Sequence, residues 1–353
     1  MSVGNIFAWL SEMVARDGSD LYLTFGAPPI IRVVDEFIRV DYPALTDSDL
    51  TRLIGSLTNT DQITRFEKTK NFNMSLELPG VGRFRINLFM QQGHVGTVIR
   101  KIPMEVPTLQ ELGSPSILAD LSGEKNGIIL VVGATGSGKS TTLAAMINHR
   151  NELRDGHILT IEDPIEFVHP HKKCIVTQRE IGRDALSFED AQENALRQKA
   201  DMILVGEIRS ANVMRQALNI AETGQLALAT LHANNSHQAI QRVANFFEFE
   251  EQRQILLNLS FNLRAVISQR LVRTTANKRV AAMELMLMDE QIREHVRLNE
   301  MTSLKQAISE REDKHMQTFD QDLLQKFRNG VIDDKVAVSE SDDREWMQAQ
   351  LAA

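Results

Sequence analysis

A glycine-rich loop that ends in lysine and serine is the first chemical signal in the sequence. The loop Gly133-Ala134-Thr135-Gly136-Ser137-Gly138-Lys139-Ser140 matches the pattern G-x-x-x-x-G-K-S and follows the apolar run 127–132. Glycines let backbone N–H groups surround a phosphate, and a helix that begins at the lysine adds its dipole. Lys139 would neutralise the β- and γ-phosphates, and Ser140 would coordinate Mg²⁺. Residues Gly133 to Thr141 therefore predict a site for ATP and Mg²⁺.

Carboxylates follow two other apolar runs. Glu207 closely follows the run 202–205, and Glu162 directly follows 158–161. In an open α/β sheet, ligands bind beyond the carboxyl ends of the parallel strands. We therefore expect Glu207 to organise Mg²⁺ and water, and Glu162 to orient or deprotonate the attacking water. The alternatives are a solvated strand end for Glu207 and a capping acid before Pro164 for Glu162.

An imidazole and several guanidinium groups complete the candidate site. His232 follows the run 226–231 at the same predicted edge, where we expect it to sense the γ-phosphate; a structural or exposed histidine is the alternative. Arginine stabilises the charge that develops in phosphoryl transfer, from the same subunit or an adjacent one. The arginine candidates are Arg197, Arg209, Arg242 and, on one face of an earlier strand, Arg83 and Arg85. The sequence does not select among them.

Two histidines, the cysteine and an acidic stretch are interpreted as structural. His169 and His171 have a spacing that only weakly resembles a metal site, and we interpret 168–173 as a solvated hairpin. Cys174 is the single cysteine, so it cannot form an internal disulfide or a multi-cysteine zinc site, and we expect it near a strand. The stretch 340–345 is interpreted as a solvated connection or tail.

Composition and hydropathy disfavour several classes of protein. The 353 residues include 47 acidic and 39 basic side chains, a net charge of -8, which argues against a surface that tracks nucleic-acid phosphates. No apolar run reaches the roughly 20 residues needed to span a bilayer, and no signal peptide is recognised. We therefore expect a cytoplasmic protein that binds no nucleic acid and whose association with any membrane is peripheral and mediated by protein partners.

The apolar runs predict an α/β protein with two domains. Residues 1–102 indicate a small α+β domain, and a linker over 103–111 precedes an ATPase domain over 112–353 with a C-terminal helical region. The elements predicted in the first domain are helices over 2–16, 47–57 and 61–68 and strands over 21–25, 30–34, 72–78 and 84–90. The strands predicted in the second domain are 128–132, 158–161, 202–205, 226–231 and 280–287, in a parallel sheet with helical crossovers.

Four motifs occur in order along the second domain. They are the Walker A loop at 133–140, the aspartate box Thr160-Ile-Glu-Asp-Pro-Ile-Glu166, the Walker B end Gly206-Glu207-Ile208-Arg209 and the histidine box Thr230-Leu-His-Ala-Asn-Asn235. Together they resemble the secretion ATPase superfamily, specifically the type IV pilus retraction ATPases of the PilT/PilU group. Ser19-Asp20-Leu21-Tyr22-Leu23 and Gly26-Ala27-Pro28-Pro29 look like the start of that family's PAS-like domain, and Ser268-Gln269-Arg270-Leu271 matches its C-terminal core. The resemblance therefore covers essentially the whole chain.

The resemblance implies a PAS-like N-terminal domain, a RecA-like ATPase domain and a hexameric ring. It further implies a motor for pilus retraction in twitching motility, with an inner-membrane platform protein as partner and a second retraction ATPase as a further one. The segment 316–321 looks more like the PilU branch, whose members accompany the principal motor. The segment 291–297 matches the corresponding motif of the principal motor poorly, which puts independent retraction in doubt.

Smaller departures from the family pattern occur at Val34-Asp35-Glu36-Phe37, Ala200 and Ser210, and none removes a catalytic group. One alternative function is a nucleotide-binding structural or regulatory ring member that supports another motor. Another is a pilus-assembly or type II secretion ATPase, although these commonly carry a four-cysteine metal module and this chain has one cysteine. A small-molecule kinase would also use the phosphate loop, but no acceptor-substrate signature accompanies it.

Overall fold

The computed structural model describes residues 5–34, 36–102, 105–310 and 315–352. The chain divides into two units, Met1–Glu105 and Val106–Ala353. The domain limits predicted from the sequence, 102 for the first domain and 112 for the second, are not tested by this division and stay predictions. Three features predicted from the sequence lie outside the described residues: the helix start at 2–4, the departure at Asp35 and the linker start at 103–104.

The first unit combines an antiparallel sheet with three helices. Its six strands have the order β3-β2-β1-β6-β5-β4. The strands are β1 (Asp20–Leu23), β2 (Ile30–Val33), β3 (Glu36–Arg39), β4 (Asn71–Leu78), β5 (Gly82–Gln91) and β6 (His94–Ile102). The helices are α1 (Ile6–Ala15), α2 (Asp47–Gly55) and α3 (Thr60–Thr69). Strands β3 and β6 were not predicted, and β3 lacks an apolar alternation because its residues are largely exposed.

Alternation along β5 places the two arginines of the first unit. Phe84, Ile86 and Leu88 are fully buried in the core of this unit. Because successive side chains of a strand point to opposite faces, Arg83 and Arg85 share the other face, as predicted. Arg83 is buried and Arg85 is half-buried.

The second unit is built on a seven-stranded sheet with the order β13-β12-β7-β11-β10-β8-β9. The strands are β7 (Gly127–Val132), β8 (Gly156–Glu162), β9 (Cys174–Glu180), β10 (Met202–Val205), β11 (Leu226–Leu231), β12 (Leu263–Arg273) and β13 (Arg279–Leu287). Neighbours are parallel from β12 through to β9. The prediction that 280–287 belongs to the parallel set was wrong, because β13 returns from β12 as its antiparallel partner.

Helices cover both faces of this sheet. They are α4 (Ile117–Ser122), α5 (Lys139–Leu153), α6 (Phe188–Ala195), α7 (Ala211–Glu222), α8 (Ser236–Asn245), α9 (Phe249–Asn262), α10 (Glu290–Leu298), α11 (Met301–Ser309), α12 (Phe319–Arg328), α13 (Asp334–Glu340) and α14 (Arg344–Ala352). Every residue of β7 is buried. Ile128, Leu130 and Val132 pack in the core on one face, and Ile129 and Val131 in the core on the other. The α/β fold class is thereby confirmed.

One loop interpretation was wrong, and another is confirmed. Since β8 and β9 are parallel, the chain between them is a crossover and not a hairpin, and His169 within it is buried at 6% exposure. Burial lowers the pKa of His169 to about 4. The stretch 340–345 connects α13 to α14 and residues 342–345 are exposed, as predicted for a solvated connection, and Asp342 forms an ion pair with Arg270 at 2.9 Å. Among the described residues, no helix is long and apolar enough to cross a membrane.

Candidate active site

The phosphate loop connects the fully buried strand β7 to the start of α5. Gly136 and Gly138 have φ of 79° and 90°, a left-handed region in which side chains larger than glycine are strained. Gly138 is the N-cap of α5, and no side chain of the described residues caps this end. The N–H groups of the first helical turn therefore lack a helical partner, and an anion can accept from them.

Lys139 is turned back onto the loop. Its Nζ donates to the carbonyl oxygens of Gly133 and Ala134, each at 2.9 Å. Burial lowers the pKa of Lys139, and the carboxylates of Glu207 and Glu166 act in the opposite direction. The ammonium is thus held among carbonyl oxygens, which carry less negative charge than phosphate oxygens.

Glu207 lies at the centre of a charged cluster after β10. Its Oε2 accepts from Arg209 Nε at 2.7 Å, and its Oε1 lies 3.0 Å from His232 Nε2. This pairing raises the pKa of Arg209. Gly206 permits a close approach to β8, because a Cβ there would lie 2.9 Å from the carbonyl oxygen of Ile161. The loops after β8, β10 and β11 therefore meet at one edge of the sheet.

Glu162 occupies the end of β8 and is half-buried. Its Oε1 accepts from Thr160 Oγ1 at 2.7 Å and from Gln178 Nε2 at 3.2 Å. Burial raises the pKa of Glu162, while the bonds from Thr160, Gln178 and the Glu166 backbone oppose that rise. A carboxylate with a raised pKa is suited to accepting a proton from water.

A cleft of about 590 Å³ joins the phosphate loop to the histidine box. It is lined by residues 133–135, by His232, Ala233 and Asn234, and by Gln238, Gln241, Arg242 and Asn245 of α8. Polar groups from both loops and one arginine thus face the same space, whose size fits a small-molecule ligand.

The structure brings together most of the side chains predicted for the site. Glu207, Arg209 and His232 are linked by the contacts above, Lys139 is near enough for the charge of Glu207 to act on it, and Arg242 lines the cleft. Arg197 is exposed on the 3₁₀ turn Leu196–Gln198, and none of the described contacts joins it to the phosphate loop. Arg83 and Arg85 belong to the first unit, and their proposed nucleotide contacts stay a prediction.

Gln269 is a contributor to the site whose role the sequence did not reveal. This buried residue of β12 donates from Nε2 to the carbonyl oxygen of Ser137 at 2.8 Å, and its Oε1 accepts from Thr142 Oγ1 at 2.7 Å. It therefore fixes the phosphate loop and the start of α5 together. The family motif at 268–271 marked the position, but a polar residue after an apolar run carries no sign of which loop it contacts.

Replacing Gln269 with leucine is expected to raise the Kd for ATP about tenfold, because leaving the Ser137 carbonyl unpaired costs about 1–3 kcal/mol. Titration with a fluorescent ATP analogue measures the change. Gln192→Leu is the control. Gln192 is also buried, but it lies in α6 and its amide donates to the Val213 carbonyl of α7, not to the phosphate loop. An unchanged Kd for Gln269→Leu would show that this brace does not contribute to binding.

Comparisons with known proteins agree with this architecture. The family described as Type II/IV secretion system protein matches residues 97–339. The type IV pilus ATPase PilU of Pseudomonas aeruginosa is 43% identical over 94% of this chain and 87% of its own length. The type IV pilus retraction ATPase PilT of the same organism is 43% identical over 92% of this chain and 95% of its own length.

A solved structure extends the likeness to three dimensions. The crystal structure of the pilus retraction motor PilT with bound ADP has a TM-score of 0.92 and 39% identity, and the match covers 98% of this chain and 99% of that one. The equal identities to PilU and PilT leave the branch assignment a prediction. The resemblance carried by the four motifs is confirmed, and the chain belongs to the type II/IV secretion system proteins and, among them, to the PilT/PilU group of pilus retraction ATPases.

Proposed function

We propose that this chain is the subunit of a hexameric motor that hydrolyses ATP to retract type IV pili, acting with or accessory to a principal retraction ATPase. The observation that carries the proposal is the cluster of Lys139, Glu207, Arg209 and His232 at one edge of the sheet. A lysine in the phosphate loop, with a carboxylate near enough for its charge to act on that lysine, supplies groups that phosphoryl transfer to water uses.

The roles of the side chains follow from their positions. Lys139 leaves the two loop carbonyls and contacts the β- and γ-phosphates, while the α5 N-terminus donates to the same oxygens. Ser140 in the first turn and Glu207 offer the oxygen ligands that Mg²⁺ prefers, with phosphates and water as the others. Mg²⁺, when bound, would neutralise charge on the phosphates. Glu162 orients or deprotonates the attacking water.

The charged cluster offers a way for the site to respond to nucleotide. His232 contacts Glu207 and lines the cleft beside the phosphate loop, so a γ-phosphate there would compete for its imidazole. Arg209 and Arg242 are the guanidinium groups available to the developing charge on this side. A ligand that changes these contacts can bias one arrangement of the site over another.

The assembly and partners belong to the proposal as well. A ring of identical subunits, a platform protein in the inner membrane and a second retraction ATPase are what the PilT/PilU group implies. The low match of 291–297 to the principal motor favours an accessory role. In the structure this segment lies in α10, where Ile292 and Val296 are buried and Arg293 and Arg297 are exposed.

Cells that produce Glu207→Gln protein in place of the wild type are expected to retract pili poorly, because the proposed output depends on hydrolysis. Fluorescent labelling of pili in living cells measures the retraction frequency, with a deletion strain and a wild-type copy as the two references. If cells with the inactive Glu207→Gln protein retract pili as often as cells with the wild type, the result would instead favour a structural or regulatory ring member.

A further inference from the structure

Gln178 makes three hydrogen bonds around the end of β8. It lies on β9 directly opposite Thr160 in the parallel register. Its Nε2 donates to Glu162 Oε1 at 3.2 Å and to the Phe167 carbonyl at 2.8 Å, and its Oε1 accepts from the His169 N–H at 2.8 Å. Both ends of the amide are therefore engaged, and the group cannot turn without breaking bonds to the crossover.

Two fixed donors meet at a single oxygen of Glu162. Thr160 Oγ1 and Gln178 Nε2 both donate to Oε1, from the same strand and from the neighbouring one. Donors in fixed positions on one oxygen set the rotation of the carboxylate plane, and thereby the direction of Oε2. Without Gln178, only the Thr160 hydroxyl, which can rotate about its own bond, would hold Oε1.

We infer that Gln178 is a positioning residue that holds Glu162 in the orientation needed to act on the attacking water. The inference rests on the proposed function, in which Glu162 has that role. A carboxylate must be within hydrogen-bond reach and correctly directed to act as a base, and a misplacement of about 1 Å can cost on the order of 100-fold in rate. Gln178 sets the direction of the Glu162 carboxylate, while strand β8 sets the distance of Glu162 from the phosphate site.

The electrostatics around Glu162 give this role a distinct signature. Burial raises the pKa of Glu162, the bonds from Thr160 and Gln178 oppose the rise, and the charge of Glu166 adds to it. The titratable groups on the surrounding segments include Asp163, Glu166, His169, Glu180, Glu207 and Arg209. Glu180 is buried, and its carboxylate accepts from the Ile165 N–H. Removing the Gln178 donor therefore leaves the carboxylate less stabilised, which raises the pKa of Glu162 further.

The test is the pH dependence of ATP hydrolysis by full-length Gln178→Met, which keeps the length of the side chain and removes its donor. We expect kcat to fall about 10- to 100-fold with the KM for ATP changed less than about threefold. We also expect the acid limb of the kcat profile to move to higher pH. Gln317→Met is the matched control, since Gln317 is half-buried and its Nε2 donates to the Met283 carbonyl at 2.9 Å.

Other outcomes separate the alternatives. A Gln178→Met protein that loses thermal stability but keeps the acid limb in place has lost only a loop contact, which overturns the inference. If this variant does not fold, Gln178→Glu keeps an acceptor for the His169 N–H and removes the donor to Glu162, and an unmoved acid limb in it overturns the inference equally. Retained activity in Glu162→Gln would instead remove the proposed role of Glu162 itself.

Discussion

Lys139→Ala protein is expected to hydrolyse ATP with a kcat/KM at least about 100-fold below wild type, because one preorganised donor to a transferring group is worth about 10²–10³ in rate. The lysine Nζ contacts two loop carbonyl oxygens at 2.9 Å, and it would exchange these contacts for phosphate oxygens when ATP binds. A methyl group in its place removes the positive charge that lies within the loop itself, beside the backbone N–H groups. Weaker ATP binding should accompany the slower reaction.

Release of inorganic phosphate by purified full-length protein measures this effect. Lys125→Ala is the control, because Lys125 is exposed and precedes β7 at the opposite end of the strand from the phosphate loop. It should match the wild type. Equal turnover by Lys139→Ala and the control would mean that hydrolysis does not use the proposed site.

Glu207→Gln protein is expected to bind ATP yet turn it over about 100-fold or more slowly. The amide keeps the size of the side chain but removes the negative charge that pairs with Arg209 and would hold Mg²⁺. Because Lys139 and the loop amides stay in place, the affinity for ATP should change far less than kcat. Single-turnover hydrolysis and equilibrium nucleotide binding, measured side by side, separate the two quantities.

The control for this variant is another glutamate paired with arginine. Glu251 contacts Arg215 at 3.2 Å, and both side chains are about half exposed. Exposed ion pairs contribute little, about 0–1 kcal/mol, so Glu251→Gln should retain wild-type turnover. Loss of ATP binding in Glu207→Gln would contradict this prediction and would show that Glu207 contributes to nucleotide binding as well as to turnover.

The sequence was most informative where a motif and a strand coincide. The loop at 133–140 follows a run whose residues are buried on both faces, so its position at the sheet edge could be predicted from local pattern alone. The same reasoning placed Glu207 and His232 together, because parallel strands end at one edge. Strand β9 escaped detection because it lies at the edge of the sheet, where Ile175 is 64% exposed and the apolar pattern is interrupted.

The sequence pattern does not predict which residues each polar side chain contacts. In the sequence, Gln178 and Gln269 look like ordinary polar residues of strands, and their importance comes from partners that lie elsewhere in the chain. Gln178 contacts Glu162 and the backbone of His169. Gln269 contacts Ser137 and Thr142. The prediction for His169 was wrong for a related reason. A histidine close to proline and lysine residues looks solvated unless it is known that this segment crosses between the parallel strands β8 and β9. These contacts depend on strand order, which local periodicity does not encode.

The burial of β7 on both faces also determines which part of the second unit opens least. Lifting this strand out of the sheet would expose apolar side chains in two cores at once, so the free energy of its local opening approaches that of unfolding the whole unit. We therefore expect the amide hydrogens of the strand that precedes the phosphate loop to exchange with solvent slowly. We expect backbone motion near the nucleotide site to occur in the glycine-rich loop and in the loops that follow β8, β10 and β11.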